Sequence, residues 1–229
     1  MKHFASPSRL GAVLALAAVG VATLVLAQRQ APQTPTAQQQ ASQVKIKAMS
    51  RPGNVTVSTP DFQVRGNMPQ PLVRRPRDWA VIDLTYEVKA PAQAGKWTDN
   101  VSVTFYVMAD NGQTKDGKPD LSLYTLTVQY VNVPDGERRA GAVLHPSTLD
   151  RYGKVVAIAC EITVDGAAAP EVSFDHSPAA SFLNQFKNDW WKNDKVVNAD
   201  FVKKRNGLLL ERSQTPFGLV NIDDYEAVR

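Results

Sequence analysis

Residues Trp79 to Val88 read WAVIDLTYEV, and this stretch decides the fold class. Every second residue in its second half is large and apolar, the period of a β-strand that buries one face and exposes the other. The residues of the predicted buried face are Ile82, Leu84, Tyr86 and Val88. The stretch therefore predicts a strand that packs on a hydrophobic core.

The same period recurs along most of the chain. It is found at Val44–Ala48, Val55–Val57, Val101–Ala109, Leu121–Val133, Arg138–His145, Lys154–Val164 and Pro170–Phe174. Pairs that tolerate positive φ lie between these segments, and we expect them to close hairpins. They are Asn111-Gly112, Asp116-Gly117, Asp135-Gly136 and Asp165-Gly166. No ten-residue helical pattern interrupts the strands, which excludes a parallel sheet built from βαβ units. The prediction is an all-β, immunoglobulin-like or fibronectin-III-like antiparallel β-sandwich over residues 44–176.

Two local features bear on this fold. Leu144, Pro146 and Tyr152 precede the strand that starts at Lys154, the position at which such sandwiches place a tyrosine corner. The Cys, Trp and Cys set of true antibody domains is missing. Cys160 is the only cysteine, so an intrachain disulfide is excluded, and we expect its side chain to be buried as a small apolar group.

Residues 177–229 are predicted to form a short helix and a C-terminal extension that packs on the sandwich. Ser177 and Pro178 are a typical N-cap and first-turn pair, and the apolar spacing that follows predicts an amphipathic helix over about 178–188. Trp190 and Trp191 follow it. We expect a hydrophobic clasp on the sandwich, with a stacking platform for sugars as the alternative.

The N-terminal residues predict export. Lys2 and Arg9 precede an uncharged stretch from Leu10 to Ala27, so residues 1–27 are a signal peptide with cleavage after Ala27, or an anchor that is retained. Residues 28–43 are rich in Gln and Pro and are predicted to be a disordered linker. The expected location is the periplasm, the outer envelope or the extracellular space. We expect membrane contact only through an uncleaved N-terminal segment.

No motif for catalysis, a cofactor or a metal is predicted. Asp175, His176 and Ser177 are neighbours in sequence, which seldom converge on one point, and His145 has no second histidine at metal spacing. The segment Asp110–Asp120 has several carboxylates but lacks EF-hand spacing, so we expect a solvated hairpin, with calcium as the alternative.

Three basic clusters are the candidate binding residues. They are Arg74, Arg75 and Arg77; Arg138 and Arg139; and Lys203, Lys204 and Arg205. If the fold brought them together they would form a surface for an anionic ligand. Solvated charge at sheet edges is the alternative. Without Lys2 and Arg9 the chain has only two more basic than acidic residues, so we do not expect nucleic acid as a partner.

Several segments resemble a family of secreted immunoglobulin-like envelope proteins encoded beside type IV pilus components in gut-commensal and related bacteria. They are WAVIDLTYEV, LHPSTLDRYG from Leu144 to Gly153, the Trp190-Trp191 pair, and RSQTPFGLVNIDDYEAV from Arg212 to Val228. The resemblance implies the fold, an envelope location and a pilus or adhesion context, but no site residue.

The predicted function is therefore that of an exported, non-enzymatic protein that acts by protein contact. Its expected partners are envelope or pilus-assembly proteins, with self-association through sheet edges also open. The alternatives are a binding module for an acidic polymer, DNA or sulfated glycan, and a hydrolase whose site the sequence conceals.

Overall fold

The computed structural model describes residues 43–59, 76–90, 95–186 and 189–219, and the backbone of 226–227. The predicted signal peptide 1–27 and all of the predicted linker except Gln43 lie outside these residues. The described residues belong to one unit, Gln39–Arg229. In this part of the chain, no helix has both the length and the apolar character needed to cross a membrane.

Strands and helices follow one another in chain order. The strands are β1 (Gln43–Met49), β2 (Thr56–Ser58), β3 (Asp78–Lys89), β4 (Trp97–Lys115), β5 (Lys118–Pro134), β6 (Gly136–Leu144), β7 (Lys154–Val164), β8 (Ala167–His176), β9 (Val202–Lys204), β10 (Leu209–Glu211) and β11 (Glu226–Ala227). The α-helices are α1 (Pro146–Tyr152) and α2 (Asp194–Val197). The 3-10 helices are Pro52–Asn54, Pro178–Phe186, Arg212–Gln214 and Pro216–Leu219.

The strands form two sheets. Sheet A has the order β1-β3-β6-β10, with β2 also paired to β3, and sheet B has the order β11-β5-β4-β7-β8, with β9 also paired to β5. All pairs are antiparallel except β5 with β9. The predicted all-β antiparallel sandwich is confirmed.

The two sheets pack through their alternating apolar faces. Ile82, Leu84, Tyr86 and Val88 of β3 are at most 1% exposed, as the alternation predicts. The inner faces of β4 and β7 complete this core, and Cys160 of β7 is fully buried in it. The period of two thus fixes which face of each strand is inside.

The four predicted turn pairs differ in what they do. Asp116-Gly117 and Asp165-Gly166 have positive φ at both residues and close the β4–β5 and β7–β8 hairpins. Asn111-Gly112 lies inside β4, where the pairing with β5 shifts register between Asp110 and Thr114. Asp135-Gly136 carries the chain from sheet B to sheet A, so the hairpin expected there is wrong.

The predicted helix after Ser177 is a 3-10 helix, Pro178–Phe186, with a kink at Ala180. The expected N-cap is wrong, because the Ser177 hydroxyl is buried and has no hydrogen-bond partner. The Ser177 carbonyl instead accepts from the Ala180 N–H at 2.9 Å.

Residues 178–186 and 189–202 cover part of the outer face of sheet B. Trp190 is fully buried and Trp191 is 4% exposed, and their rings meet edge to face with centroids 5.8 Å apart. The Trp191 indole N–H donates to Glu161 of β7 at 2.9 Å. Neither ring is open to a sugar, so the clasp is the arrangement found.

The extension covers the outer face of sheet A as well. Phe217 packs on Trp79, with ring centroids 5.6 Å apart, and Arg212 forms an ion pair with Asp83 at 3.0 Å. β10 pairs with β6 at the sheet edge. Apolar residues on both outer faces therefore have partners supplied by the C-terminal part of the chain.

The predicted tyrosine corner is wrong. Tyr152 ends α1, and its hydroxyl donates no hydrogen bond to the backbone of any described residue. Its ring packs beside the core and contacts two cations, with the guanidinium carbons of Arg205 and Arg151 at 4.3 and 5.1 Å from the ring centroid. Tyr152 therefore lies at the end of a helix, and its contacts are made by the ring.

Candidate functional site

A groove opens at one end of the sandwich, between sheet A, α1 and the start of β7. Its volume is 790 Å³, within the range of ligand-binding clefts. The apolar residues of its wall come from four separate segments. They are Pro52, Val55, Pro76, Ala80, Pro146, Leu149, Val155, Val156 and Ala179. Proline and β-branched residues at these positions give a rigid apolar wall.

Strand β2 forms one side of this groove, and one of its edges is free of any described strand, which we call the free edge. The N–H of Thr59 donates to Arg77 O and that of Val81 to Val55 O, which fixes Val55, Val57 and Thr59 as the residues bonded to β3. The backbone N–H and C=O of Thr56 and Ser58 therefore point away from β3. In the described part of the chain no strand pairs with that side of β2.

The side chains of β2 follow from its register. Thr56 pairs with Ala80, so both face inward, and both line the groove. Val57 pairs with Trp79 on the outer face and is 40% exposed. A segment that paired with the free edge would place alternate side chains into the groove, since paired residues share a face.

The charged groups of the groove lie at its rim. Arg77 is bonded to Asp150 of α1, and Asp78 accepts from the Ser58 hydroxyl. Lys154 also lines the groove and forms no ion pair with a described residue. The Ser177 hydroxyl is a buried donor without a partner in the wall. The groove thus combines an apolar wall with a few polar groups that can select an occupant.

The neighbouring turn holds α1 in place. His145 caps the helix, because its Nδ1 accepts from the Ser147 N–H at 3.1 Å, and its ring packs on Trp79. The helix ends at Gly153, whose φ is 91°. A side chain at that position would place a Cβ 1.8 Å from the Asp110 carbonyl oxygen. Glycine is therefore required where α1 turns into β7.

The structure does not bring all the predicted basic residues together. Arg74 and Arg75 lie outside the described residues. Arg77 precedes β3 at the groove end, whereas Arg138 pairs with Tyr86 near the other end of that strand. Nine residues of strand between these positions correspond to about 30 Å.

Each described basic side chain has a local role. Arg138 donates to the carbonyl oxygens of Pro134, Asp135 and Glu137, and Arg139 also has a partner. Lys203 pairs with Asp120 at 2.7 Å, and Lys204 donates to Asn198. Arg205 contacts the Tyr152 ring. Local pairing of this kind is typical of charges at sheet ends and edges.

The other sequence candidates do not converge on a reactive point. His176 Nε2 lies 2.9 Å from Asn184 Oδ1, and the Ser177 hydroxyl has no partner, so these two side chains form no relay. In the Asp110–Asp120 segment, Asp120 bonds Asn111 and Lys203. No group of three His, Cys, Asp or Glu side chains in the described ranges is arranged to hold a metal ion.

The large pKa shifts among the described residues belong to buried or half-buried side chains outside the groove. Burial raises the pKa of the Cys160 thiol well above its usual value. Burial, followed by the charge of Glu161, raises the pKa of Tyr106 to about 12. Both groups stay protonated at neutral pH, so neither supplies a nucleophilic anion there.

The groove has no pattern of its own in the sequence. Its wall is assembled from residues 52–56, 76–80, 146–156 and 177–179, which approach one another only in the folded chain. One weak signal was present: Val55 and Val57 continue the strand period after Pro52 and Gly53, which predicts a short strand after a turn.

Comparison with known proteins agrees with the fold. No curated protein shows a significant match to the chain. A crystal structure of a protein from Akkermansia muciniphila is similar, with a TM-score of 0.62 and 19% identity over 82% of this chain and 94% of that one. At this identity the likeness shows the fold alone. A protein-family model matches residues 35–229, so the chain belongs to the family which that model describes.

Proposed function

We propose that this protein is exported, has no enzymatic activity, and acts by protein contact in the cell envelope or at the cell surface, in association with a pilus-like or adhesion assembly. The observation that carries the proposal is the free edge of β2 beside the groove. An extended segment of a partner can pair with Thr56 and Ser58 and insert its alternate side chains into the groove. Strand addition of this kind uses backbone hydrogen bonds for affinity and pockets for specificity.

The other sheet edges are less available for pairing. On sheet A, β10 is the last strand of its side, and the extension that follows it packs back on the sheet. On sheet B, β8 lies close to β1, and its Glu171 carboxylate accepts the Ile46 N–H at 2.6 Å. The edge of β2 differs because it borders a groove with an apolar wall, so a partner there gains burial as well as hydrogen bonds.

The sequence supports the location. A basic N-terminal region, an apolar stretch and a Gln- and Pro-rich segment precede β1, and the resemblance to pilus-associated envelope proteins covers most of the domain. The chain also belongs to a family whose model matches residues 35–229, a range that includes the whole sandwich.

Photo-crosslinking tests the contact. A crosslinking residue is placed at Val57 or, as a matched control, at Val172 of β8, since both side chains are 40% exposed. In intact cells of the source organism we expect an adduct from position 57 and none from position 172. Mass spectrometry of the adduct should identify an envelope or assembly protein. Adducts from position 172 alone would contradict the proposal.

A proline variant tests the hydrogen bonds. Ser58→Pro removes an N–H that points away from β3, so the strand should persist while partner pairing is lost. Ser58→Ala is the control, because it removes the same hydroxyl bond to Asp78 and keeps the N–H. The crosslink at position 57 should disappear in Ser58→Pro and remain in Ser58→Ala. Equal crosslink yields from position 57 in the two variants would refute pairing of a partner strand with β2.

One observation favours a second function, binding of an acidic polymer. The guanidinium groups of Arg151 and Arg205 both contact the Tyr152 ring, and neither forms an ion pair with a described residue. Two cations at one aromatic ring, neither in an ion pair with a described carboxylate, attract an anion. Retention on a heparin column that falls steeply with salt, and falls further in Arg151→Gln, would favour this function over protein contact.

A further inference from the structure

The groove beside β2 has room for a large side chain. Its volume is 790 Å³, and an engineered cavity of about 150 Å³ is already large enough to bind benzene. None of the described residues that line the groove is aromatic, and three of them are prolines, Pro52, Pro76 and Pro146. The groove can therefore accept a flat ring that the described part of the chain does not supply.

Elsewhere in the domain, aromatic rings from the C-terminal part of the chain cover apolar surfaces. On sheet A, the ring of Phe217 packs on Trp79. On sheet B, the Trp191 ring packs on the apolar outer face, and its indole N–H donates to the Glu161 carboxylate at 2.9 Å. The contact on sheet B thus combines a ring on an apolar wall with a polar tip that bonds a polar group of the sheet.

The groove offers the same combination, with Ser177 as its polar group. The Ser177 hydroxyl is buried and has no hydrogen-bond partner among the described residues. The backbone of Ser177 is fixed, because its N–H donates to Val156 O at 2.7 Å and its carbonyl accepts from the Ala180 N–H at 2.9 Å. A buried donor without an acceptor is unfavourable, so the groove favours an occupant whose polar tip accepts this hydrogen bond.

The charges at the rim of the groove do not select the occupant. Arg77 and Asp150 form an ion pair, and the other charged lining residues are one acid, Asp78, and one base, Lys154. The lining is neutral overall, so neither a strongly acidic nor a strongly basic segment is preferred. Selection therefore depends on the shape of the wall and on the Ser177 hydroxyl.

We propose that the partner segment at β2 inserts a tyrosine into the groove, with the ring on the apolar wall and the phenolic oxygen accepting from the Ser177 hydroxyl. Thr56 faces inward and lines the groove, and a residue paired with it shares that face, so the tyrosine is the partner residue opposite Thr56. Phenylalanine has no polar tip, and the indole N–H of tryptophan donates but cannot accept. This inference rests on the proposed function, because pairing with β2 sets which residue enters the groove.

Peptides with one variable residue test the inference on the chain from Gln28. They are fluorescein-labelled Thr-Val-Thr-X-Thr-Val-Thr, with Tyr, Phe or Ala at X, and fluorescence anisotropy gives the Kd of each. We expect the Tyr peptide to bind at least about tenfold more tightly than the Ala peptide, as a buried aromatic anchor does. It should bind about fivefold more tightly than the Phe peptide, the effect of one hydrogen bond. Equal Kd values for Tyr and Phe, or no binding of the Tyr peptide, would overturn the inference.

Matched variants of the protein separate the tyrosine contact from the strand pairing. Ser177→Ala should bring the affinities of the Tyr and Phe peptides together, whereas Ser181→Ala, at an exposed serine of the same 3-10 helix, should keep the fivefold preference. Ser58→Pro should weaken all three peptides, because it removes the N–H at the free edge. Circular dichroism checks that each variant is folded.

The outcomes distinguish the two proposals. A fivefold preference for Tyr that persists in Ser177→Ala would refute the assignment of Ser177. Equal binding of the three peptides that Ser58→Pro abolishes would overturn the tyrosine contact and leave strand addition standing. Binding that Ser58→Pro does not change would contradict strand addition, and with it the position of the tyrosine opposite Thr56.

Discussion

Replacing Gly153 by alanine should unfold the junction between α1 and β7. A Cβ at this position would lie 1.8 Å from the Asp110 carbonyl oxygen, 2.3 Å from its carbon and 2.4 Å from Asn111 Cα. All three atoms are backbone, so no side-chain rotation relieves the clash. The dihedral angles of Gly153, φ 91° and ψ −163°, are also in a region that is almost restricted to glycine.

The cost follows from three contributions. The backbone conformation costs alanine about 1 to 3 kcal/mol. To restore an ordinary contact distance, β4 must move by roughly 1.5 Å, and overpacking of this kind costs about 1 to 3 kcal/mol. The shift also disturbs the pairing of Asp110 with Lys154 and of Ala109 with Val155, at about 1 kcal/mol for each hydrogen bond lost. The expected loss is about 4 kcal/mol or more, a large part of the stability of an ordinary domain.

Urea denaturation of the chain from Gln28, followed by tryptophan fluorescence, measures this loss. For a slope of about 2 kcal/mol per M, the midpoint of Gly153→Ala should fall by about 2 M. Gly207→Ala is the control, since Gly207 has φ 75° and no atom within 4 Å of the added Cβ, so it should cost only about 1 kcal/mol. If the two variants lose the same stability, the close approach of Gly153 to β4 is not real.

Three further predictions concern single side chains. Tyr152→Phe should leave the urea midpoint unchanged within error, because the hydroxyl has no backbone partner among the described residues. A fall of about 1 kcal/mol in the free energy of unfolding would instead support a tyrosine corner. Cys160 should resist thiol reagents in the folded protein and react once urea unfolds it, since burial raises its pKa; rapid labelling of the native chain would contradict its burial. Because burial raises the folded pKa of Tyr106 to about 12, its contribution to stability is complete below the unfolded pKa of about 10 and is lost as pH rises toward 12. Tyr106→Phe should therefore show a smaller fall in melting temperature over that interval than the natural chain, and equal slopes would show that Tyr106 is not buried in the folded state.

The strand pattern was predictable because it is local. A period of two decides which face of β3 is buried, and the structure has Ile82, Leu84, Tyr86 and Val88 in the core. Asp116-Gly117 closes a hairpin because both residues tolerate positive φ. The boundary of a strand and the handedness of a tight turn depend on neighbours a few residues away, which the sequence displays directly.

The Ser177 and Tyr152 predictions failed for the opposite reason. Whether a hydroxyl caps a helix or bonds a corner depends on angles set by packing at the ends of the segment. The turn at Ser177 is a 3-10 helix, and Tyr152 lies at the end of α1, where two arginines contact its ring. Residue type alone does not fix such angles, because Ser and Tyr accept many local geometries.

By itself, the sequence determined the class of fold, the buried face of each long strand, the burial of Cys160, and the docking of the Trp190-Trp191 pair on the sandwich. These follow from hydrophobic periodicity, which acts over a few residues. Only the tertiary structure decided that Arg77 and Arg138 lie at opposite ends of β3, and that no described strand pairs with the edge of β2 beside the groove. These positions depend on strand order and register between segments far apart in the chain, and a pattern with a period of two is the same for many strand orders.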